Sequence, residues 1–192
     1  MNQILEWLSG GDLRSDGMSS EAAEFVLKNP LMFEELFEGL YVTDDVVRGR
    51  TADALEKIAR TEPKLLNNCL AELIKIAKED PVPMVKMHLA MIFGHLAIYE
   101  EKVSDLTSTL LHLLDDESVF TKSWAVVSLC ILGRKYPEEC KRIIERIEPL
   151  QRDRSIAMRT KARKAVDLLT NKKDSFPEGW IKSEHLQGLG WK

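Results

Sequence analysis

Apolar residues recur along this chain with the period of an α-helix, and the alternation typical of a strand is almost absent. The pattern predicts a short leader helix near residues 4–8 and a degenerate helix pair between Met18 and Leu40, its second member opening at Pro30. Regular units follow this pair. Longer A helices are predicted near residues 45–60, 83–98, 118–135 and 155–170, and B helices near 63–78, 102–114 and 138–148.

A short signature accompanies each predicted A helix. It combines an acid, an apolar residue, a base and an alanine. Its copies are Asp45, Val47, Arg48 and Ala52; Asp80, Val85, Lys86 and Ala90; Glu117, Phe120, Lys122 and Ala125; and Asp153, Ala157, Arg159 and Ala162. The alanines lie 38, 35 and 37 residues apart, a period typical of repeated helix pairs. We expect the alanines to permit close helix contact, the acids to cap the helices, and the bases to reach an acid in the same or the neighbouring turn.

The repeat divides the chain into three parts. Residues 1–17 form a leader helix and linker, residues 18–172 the repeat array, and residues 173–192 a C-terminal tail that breaks the pattern. The tail is rich in apolar side chains, among them Phe176, Trp180 and Ile181. Either these residues cover the open apolar face of the last helix, as terminal caps do in repeat proteins, or they form a short motif that docks on a partner or a second copy.

The run from Asp44 to Leu55 resembles the first helix of a HEAT repeat. The shared residues are an aspartate, a valine and an arginine, followed by two alanines and a leucine. Residues 83–86, 118–125 and 155–162 match the pattern more loosely, and the resemblance covers roughly residues 20–170. The whole chain is also similar to small prokaryotic HEAT-repeat proteins. The resemblance implies an all-α fold, a right-handed α–α superhelix (HEAT-like solenoid) of about four to five helix pairs. By analogy it implies a non-enzymatic scaffold that binds a protein partner.

The expected contact surface follows from the same resemblance, because B helices line the concave side of such arrays. It comprises polar residues of the B helices and two arginines of the last A helix. These residues are Lys64, Asn68, Lys75, Ser108, His112, Arg142, Arg159 and Arg163. The partner's identity and the oligomeric state are left open by the sequence.

Charge is unevenly distributed along the chain. The net charge is −4, with acids concentrated before Asp45 and bases between Arg152 and Lys173. The basic end allows a second interpretation, a nucleic-acid-binding module similar to the alkylpurine DNA glycosylases, with Trp124 near Asp115 and Asp116. A sequence pI of about 5.7 disfavours it, since duplex binding depends on phosphate neutralisation.

Other candidate chemistry is sparse. Met84, His88, Met91 and His95 share one face of the second A helix, where such side chains can bind copper or zinc. They lie beside the apolar stripe of that helix, which favours packing between units instead. Cys69, Cys130 and Cys140 lack metal-binding spacing and are predicted to be reduced core thiols. We therefore expect a cytoplasmic protein without a membrane span, cofactor, metal or catalytic site.

Overall fold

The computed structural model describes residues 3–171 and 174–189, and within them the chain forms helices and no strand. The expected all-α class is confirmed. The α-helices are α1 (Gln3–Leu8), α2 (Ser19–Lys28), α3 (Phe33–Phe37), α4 (Asp45–Thr61), α5 (Lys64–Asn67), α6 (Leu70–Glu79), α7 (Pro83–His95), α8 (Val103–Leu113), α9 (Val119–Lys135), α10 (Cys140–Ile147) and α11 (Ile156–Thr170). Short 3-10 helices span Pro30–Met32, Glu38–Tyr41, Leu96–Ile98, Glu100–Lys102, Glu148–Arg152 and Glu184–Leu189. None of the described helices is both long and apolar enough to cross a bilayer.

The helices form two rows. The predicted A helices are α4, α7, α9 and α11, and each packs against the next in chain order; we call them the A row. The helices α6, α8 and α10 likewise pack in chain order and form the B row. Helices α7 and α9 contact A helices on both sides as well as B helices, which explains why so few of their residues are exposed.

The recurrent alanines lie at the contacts within the A row. Ala52, Ala90, Ala125 and Ala162 are all 0% exposed, as predicted. Close approach is clearest between α7 and α9, where a Cβ placed on Gly94 would lie 2.5 Å from Ser128 Oγ. The same hydroxyl donates to Ala90 O at 2.7 Å. Small residues therefore set the spacing of the central A helices.

An ion pair joins each unit to the next at the start of the A helices. A base on one A helix binds the aspartate that precedes the following A helix. The pairs are Arg48 with Asp80, Lys86 with Asp116 and Lys122 with Asp153. All six side chains are at most 18% exposed, so these pairs are shielded from solvent. Three of the four predicted bases thus bind an acid one unit further along the chain. Arg48 also binds Asp45 of its own unit, with Nη2 2.6 Å from Oδ1.

The acid of the signature differs from the prediction in two units. Asp44, one residue before the predicted Asp45, caps α4 by accepting hydrogen bonds from the backbone of Val46 and Val47. Asp116, and not Glu117, binds Lys86. The aspartate must stand outside the helix because its short side chain binds the N–H group two residues further on. The serine hydroxyls at 118 and 155 cap α9 and α11.

Several helix boundaries differ from the sequence pattern. The first predicted B helix is divided into α5 and α6, and the second A helix ends at His95 instead of residue 98. The predicted helix after Pro30 is a 3-10 turn followed by the short α3, and Leu31 is 95% exposed. At the start of α2, the Ser19 hydroxyl donates to Asp53, because α2 packs against α4.

Candidate functional site

The predicted contact residues of the B row lie on α5, α6, α8 and α10 or, for Asn68, in the turn between α5 and α6. Lys64, Asn68, Lys75, Ser108, His112 and Arg142 are all exposed. Arg142 Nη2 donates to Ser108 Oγ at 3.2 Å, and Arg146 Nη2 binds Asp115 Oδ2 at 2.8 Å, so α8 and α10 are linked. We call the exposed residues of α5, α6, α8 and α10 the B surface.

Arg159 and Arg163 lie elsewhere, on α11 of the A row. Arg159 Nη1 donates to the carbonyl oxygens of Asp153 and Arg154, at 2.8 and 3.1 Å. Arg48 binds the backbone of Val42 and Thr43 in the same way, so Arg159 is the equivalent base of the last unit. Both arginines thus lie on the last A helix, where the sequence pattern predicts them.

The C-terminal tail lies across the A row. Its 3-10 helix Glu184–Leu189 packs against α9 and α4, and His185 Nε2 is 2.7 Å from Thr61 O. Leu186 is 3% exposed. The tail thus reaches α9 and α4 in addition to the last helix, where Lys161 of α11 lies 5.6 Å from the Trp180 ring centre. Trp191 falls outside the described residues.

Two tryptophans and two lysines hold the tail against the A row. Lys161 Nζ lies 5.4 Å from the centre of the Trp124 ring and 5.6 Å from that of Trp180. Lys182 Nζ lies 4.7 Å from the Trp124 ring centre. Burial lowers the pKa of both lysines. These distances are within the range of cation–π attraction.

The residues considered for glycosylase chemistry, Trp124, Asp115 and Asp116, all have other partners. Trp124 contacts the lysines of α11 and the tail. Asp115 binds Arg146 and Asp116 binds Lys86. Each group is thus already engaged in contacts between helices.

A buried charge cluster occupies the contact between α4 and α7. Glu56 Oε1 lies 2.9 Å from His95 Nε2, and the Arg60 guanidinium also donates to Glu56. Burial is the largest single influence on the pKa of Glu56 and acts to raise it. The hydrogen bonds from His95 and Arg60 act in the opposite direction, and the resulting pKa is about 2. The carboxylate is therefore ionised inside the protein.

The second half of the cluster borders a cavity. Asp53 Oδ2 accepts hydrogen bonds from Ser19 Oγ at 2.5 Å and Lys57 Nζ at 2.8 Å. Asp53 Oδ1 lies 3.6 Å from His88 Nδ1, and burial lowers the pKa of His88. A cavity of about 270 Å³, lined partly by Asp53, His88 and Met84, opens beside them.

Sequence reasoning found the two histidines of this cluster but missed its acids. Met91 is 4% exposed and packs as predicted, whereas His88 and His95 face charged partners. Asp53 and Glu56 lie 35 and 39 residues before these histidines, close to one repeat period. Comparing successive A helices position by position is the signal that would have found them.

Arg50 fixes the N-terminal segment to the same row. Its guanidinium donates to several carbonyl oxygens of the leader and linker. The acceptors belong to Leu8, Ser9, Gly10, Asp12 and Ser15. Positive φ angles at Gly10 and Gly11 let the chain curl around the guanidinium. Both terminal segments thus pack on the A row.

Comparison with known proteins yields structural neighbours only. No protein-family model and no curated sequence matches the chain. Three crystal structures of engineered proteins from the Northeast Structural Genomics Consortium are similar to it. One has a TM-score of 0.59 at 17% identity over 87% of this chain, which spans 47% of that protein's length. A second has a TM-score of 0.59 at 16% identity, over 98% of this chain and 79% of that protein. A third has a TM-score of 0.52 at 15% identity, over 88% of this chain and 99% of that protein. At such low sequence identity, the similarity concerns the fold alone.

Proposed function

We propose that this protein is a non-enzymatic scaffold of the HEAT-repeat type, a right-handed α–α superhelix that binds a protein partner on the concave side formed by its B helices. Support for the repeat comes from the ion pairs between units, whose members are 32, 30 and 31 residues apart. Such regular joints are expected where each unit contacts only its neighbours.

One observation supports the B surface as the binding surface. The described terminal segments pack on the A row, whereas polar residues of the B row remain exposed along α6, α8 and α10. The B surface carries both signs of charge, for example Lys75, Asp105, Arg142 and Glu145. A protein partner can match such an alternating surface, and a polyanion cannot.

The nucleic-acid interpretation is weakened by how the basic C-terminal unit uses its charges. Arg159 is engaged by backbone carbonyls, and Lys161 lies between two tryptophan rings. Fewer bases are then available for phosphate contacts. We expect duplex DNA to bind no more tightly than about 10⁻⁴ M at physiological salt.

Site-specific cross-linking in the native host tests the proposal. A photoreactive amino acid is placed at Lys75, Ser108 or Arg142 on the B surface, and at Glu24 or Thr160 as exposed controls on α2 and α11. The three B-surface positions should capture the same protein, and the controls should not. Capture from Thr160 alone would place the contact on the A row instead.

Charge reversal provides the second arm of this test. Lys75→Glu combined with Arg142→Glu should weaken the captured complex at least about tenfold, whereas Arg163→Glu should leave it unchanged. Micromolar binding of duplex DNA at physiological salt, lost on Arg159→Glu with Arg163→Glu, would instead favour a nucleic-acid-binding module.

A further inference from the structure

An unsatisfied polar atom marks the contact between α4 and α7. His88 is 8% exposed, and within the described part of the chain its Nδ1 has no hydrogen-bond partner. The separation of 3.6 Å from Asp53 Oδ1 is too long for a hydrogen bond. Buried polar atoms of this kind are rare in proteins, and a water molecule or an ion commonly satisfies them.

The atoms around His88 have the composition and spacing of a metal site. Asp53, Glu56 and His88 are buried, and each offers one ligand atom, all within 4.8 Å of one another. Two ligands of a tetrahedral zinc ion are about 3.4 Å apart, since each lies about 2.1 Å from the ion. The 3.6 Å between His88 Nδ1 and Asp53 Oδ1 is close to this value.

The surroundings orient the two carboxylates. Ser19 and Lys57 bind Asp53 Oδ2, which leaves Oδ1 directed towards His88. His95 and Arg60 hold the Glu56 carboxylate. Outer hydrogen bonds of this type position the ligands of metal sites in proteins. The cavity beside Asp53 and His88 leaves room for a water molecule as a fourth ligand.

Positive charges nearby limit the affinity. Lys57 and Arg60 neutralise the two carboxylates, and Lys182 of the tail interacts with both. The Lys57 ammonium, 2.8 Å from Asp53 Oδ2, supplies charge that a bound cation would otherwise supply. A metal must therefore compete with these cations, and it should bind more weakly than at a structural zinc site.

We propose that Asp53, Glu56 and His88 form a zinc-type divalent cation site at the contact between α4 and α7, with its open position towards the cavity. Imidazole and carboxylate ligands in this combination suit Zn²⁺ and its spectroscopic substitute Co²⁺. Occupation would join two successive A helices and so stabilise the folded protein.

Metal titration of the full-length, untagged protein tests this site. After treatment with a chelator, Co²⁺ should produce a visible absorption spectrum of low-coordinate cobalt at one equivalent, and Zn²⁺ should bleach it. Calorimetric titration with Zn²⁺ should give the same stoichiometry. The absence of both signals would overturn the proposal and leave His88 to a water molecule.

Variants locate the signal. His88→Ala and Asp53→Asn should each abolish the cobalt spectrum, whereas His112→Ala, at an exposed histidine, should retain it. Loss of the spectrum on His112→Ala with retention on His88→Ala would place binding on the surface and contradict the site. Circular dichroism verifies that each variant is folded.

A gain of affinity separates the metal site from a structural role of the cluster. Lys57→Met removes the competing ammonium and should tighten Zn²⁺ binding about tenfold or more. The exposed Lys64→Met serves as the matched control and should have no effect. Because a variant that only disturbed folding would weaken binding, unchanged or weaker binding by a folded Lys57→Met would count against the proposal.

Discussion

At the scale of single residues, one aspartate serves two kinds of donor at each joint between units. Asp153 illustrates the arrangement: Oδ1 accepts from the Ser155 backbone at 2.8 Å, and Oδ2 accepts from Lys122 Nζ at 2.9 Å. The first bond shapes the turn before α11, and the second joins α11 to α9. A single side chain thereby couples local structure to packing between helices.

The titration of Asp153 follows from these contacts. Its pKa is lowered from 3.8, first by the Ser155 N–H and second by Lys122. The contribution of the carboxylate to stability is therefore present above about pH 3.8 and lost as the pH falls through the lowered pKa. Carboxyl NMR should place the midpoint below 3.8, and Lys122→Met should raise it only in part. A midpoint at or above 3.8 in the unmodified protein would contradict this assignment.

Arg50 is the residue on which the N-terminal segment depends. Lysine has no planar fork and cannot reach the same carbonyl groups, so Arg50→Lys should lower the free energy of unfolding by about 2 kcal/mol. Amide exchange of residues 8–15 should also accelerate. Arg154→Lys, at an exposed arginine, should leave both measurements unchanged. Equal denaturation midpoints for the two variants would show that Arg50 is dispensable.

At the scale of helices, the main contrast lies between the A and B rows. Helices α7 and α9 are buried on nearly every side, whereas α10 buries only Ile143 and Ile147 and exposes charged residues on its other faces. Burial on several sides leaves little space for larger side chains. Small residues are therefore required in the A row and not on the B surface.

Overpacking of α7 tests this contrast. Ala90→Leu adds volume at a position that is 0% exposed and should lower the free energy of unfolding by about 1–3 kcal/mol. Ala71→Leu makes the same change at an exposed position of α6 and should stay within about 0.5 kcal/mol of the unmodified protein. Chemical denaturation measures both. Similar midpoints for the two variants would refute the close contact at Ala90.

At the scale of the whole molecule, the leader and the described part of the tail both pack onto the A row. The leader is held by Arg50 on α4, and the tail returns from α11 across α9 to reach Thr61 at the end of α4. These contacts join units that are not neighbours along the chain. We therefore expect the tail to couple the stability of α4 and α9 to that of α11.

Truncating a buried side chain of the tail measures this coupling. Leu186→Ala should destabilise the protein by about 2 kcal/mol, because Leu186 is 3% exposed against the A row. Leu31→Ala, at a leucine that is 95% exposed, should change stability by less than about 0.5 kcal/mol. Thermal unfolding of both variants decides the matter. A loss confined to amide protection of residues 181–189 would show that the tail unfolds separately.

The exposed residues of the B row are the part of the candidate surface that the sequence alone predicts. The exposed B-row residues follow from helical periodicity, since a residue's face on a helix depends only on its spacing from the apolar stripe. Arg159 and Arg163 were predicted on the last A helix, and α11 contains both. Asp53 and Glu56 were not predicted because the histidines that they face lie on the next A helix.

The sequence by itself determined the all-helical class, the positions of most helices and the burial of Ala52, Ala90, Ala125 and Ala162. Helical periodicity and the positions of small residues indicate these features, because both can be read within a few helical turns of sequence. Only the tertiary structure decided which aspartate each base binds, that the histidines of α7 meet the acids of α4, and that the tail reaches Thr61 from His185, 124 residues away. Such contacts depend on how helices distant in sequence pack together. Neither segment alone therefore contains a periodic pattern that predicts them.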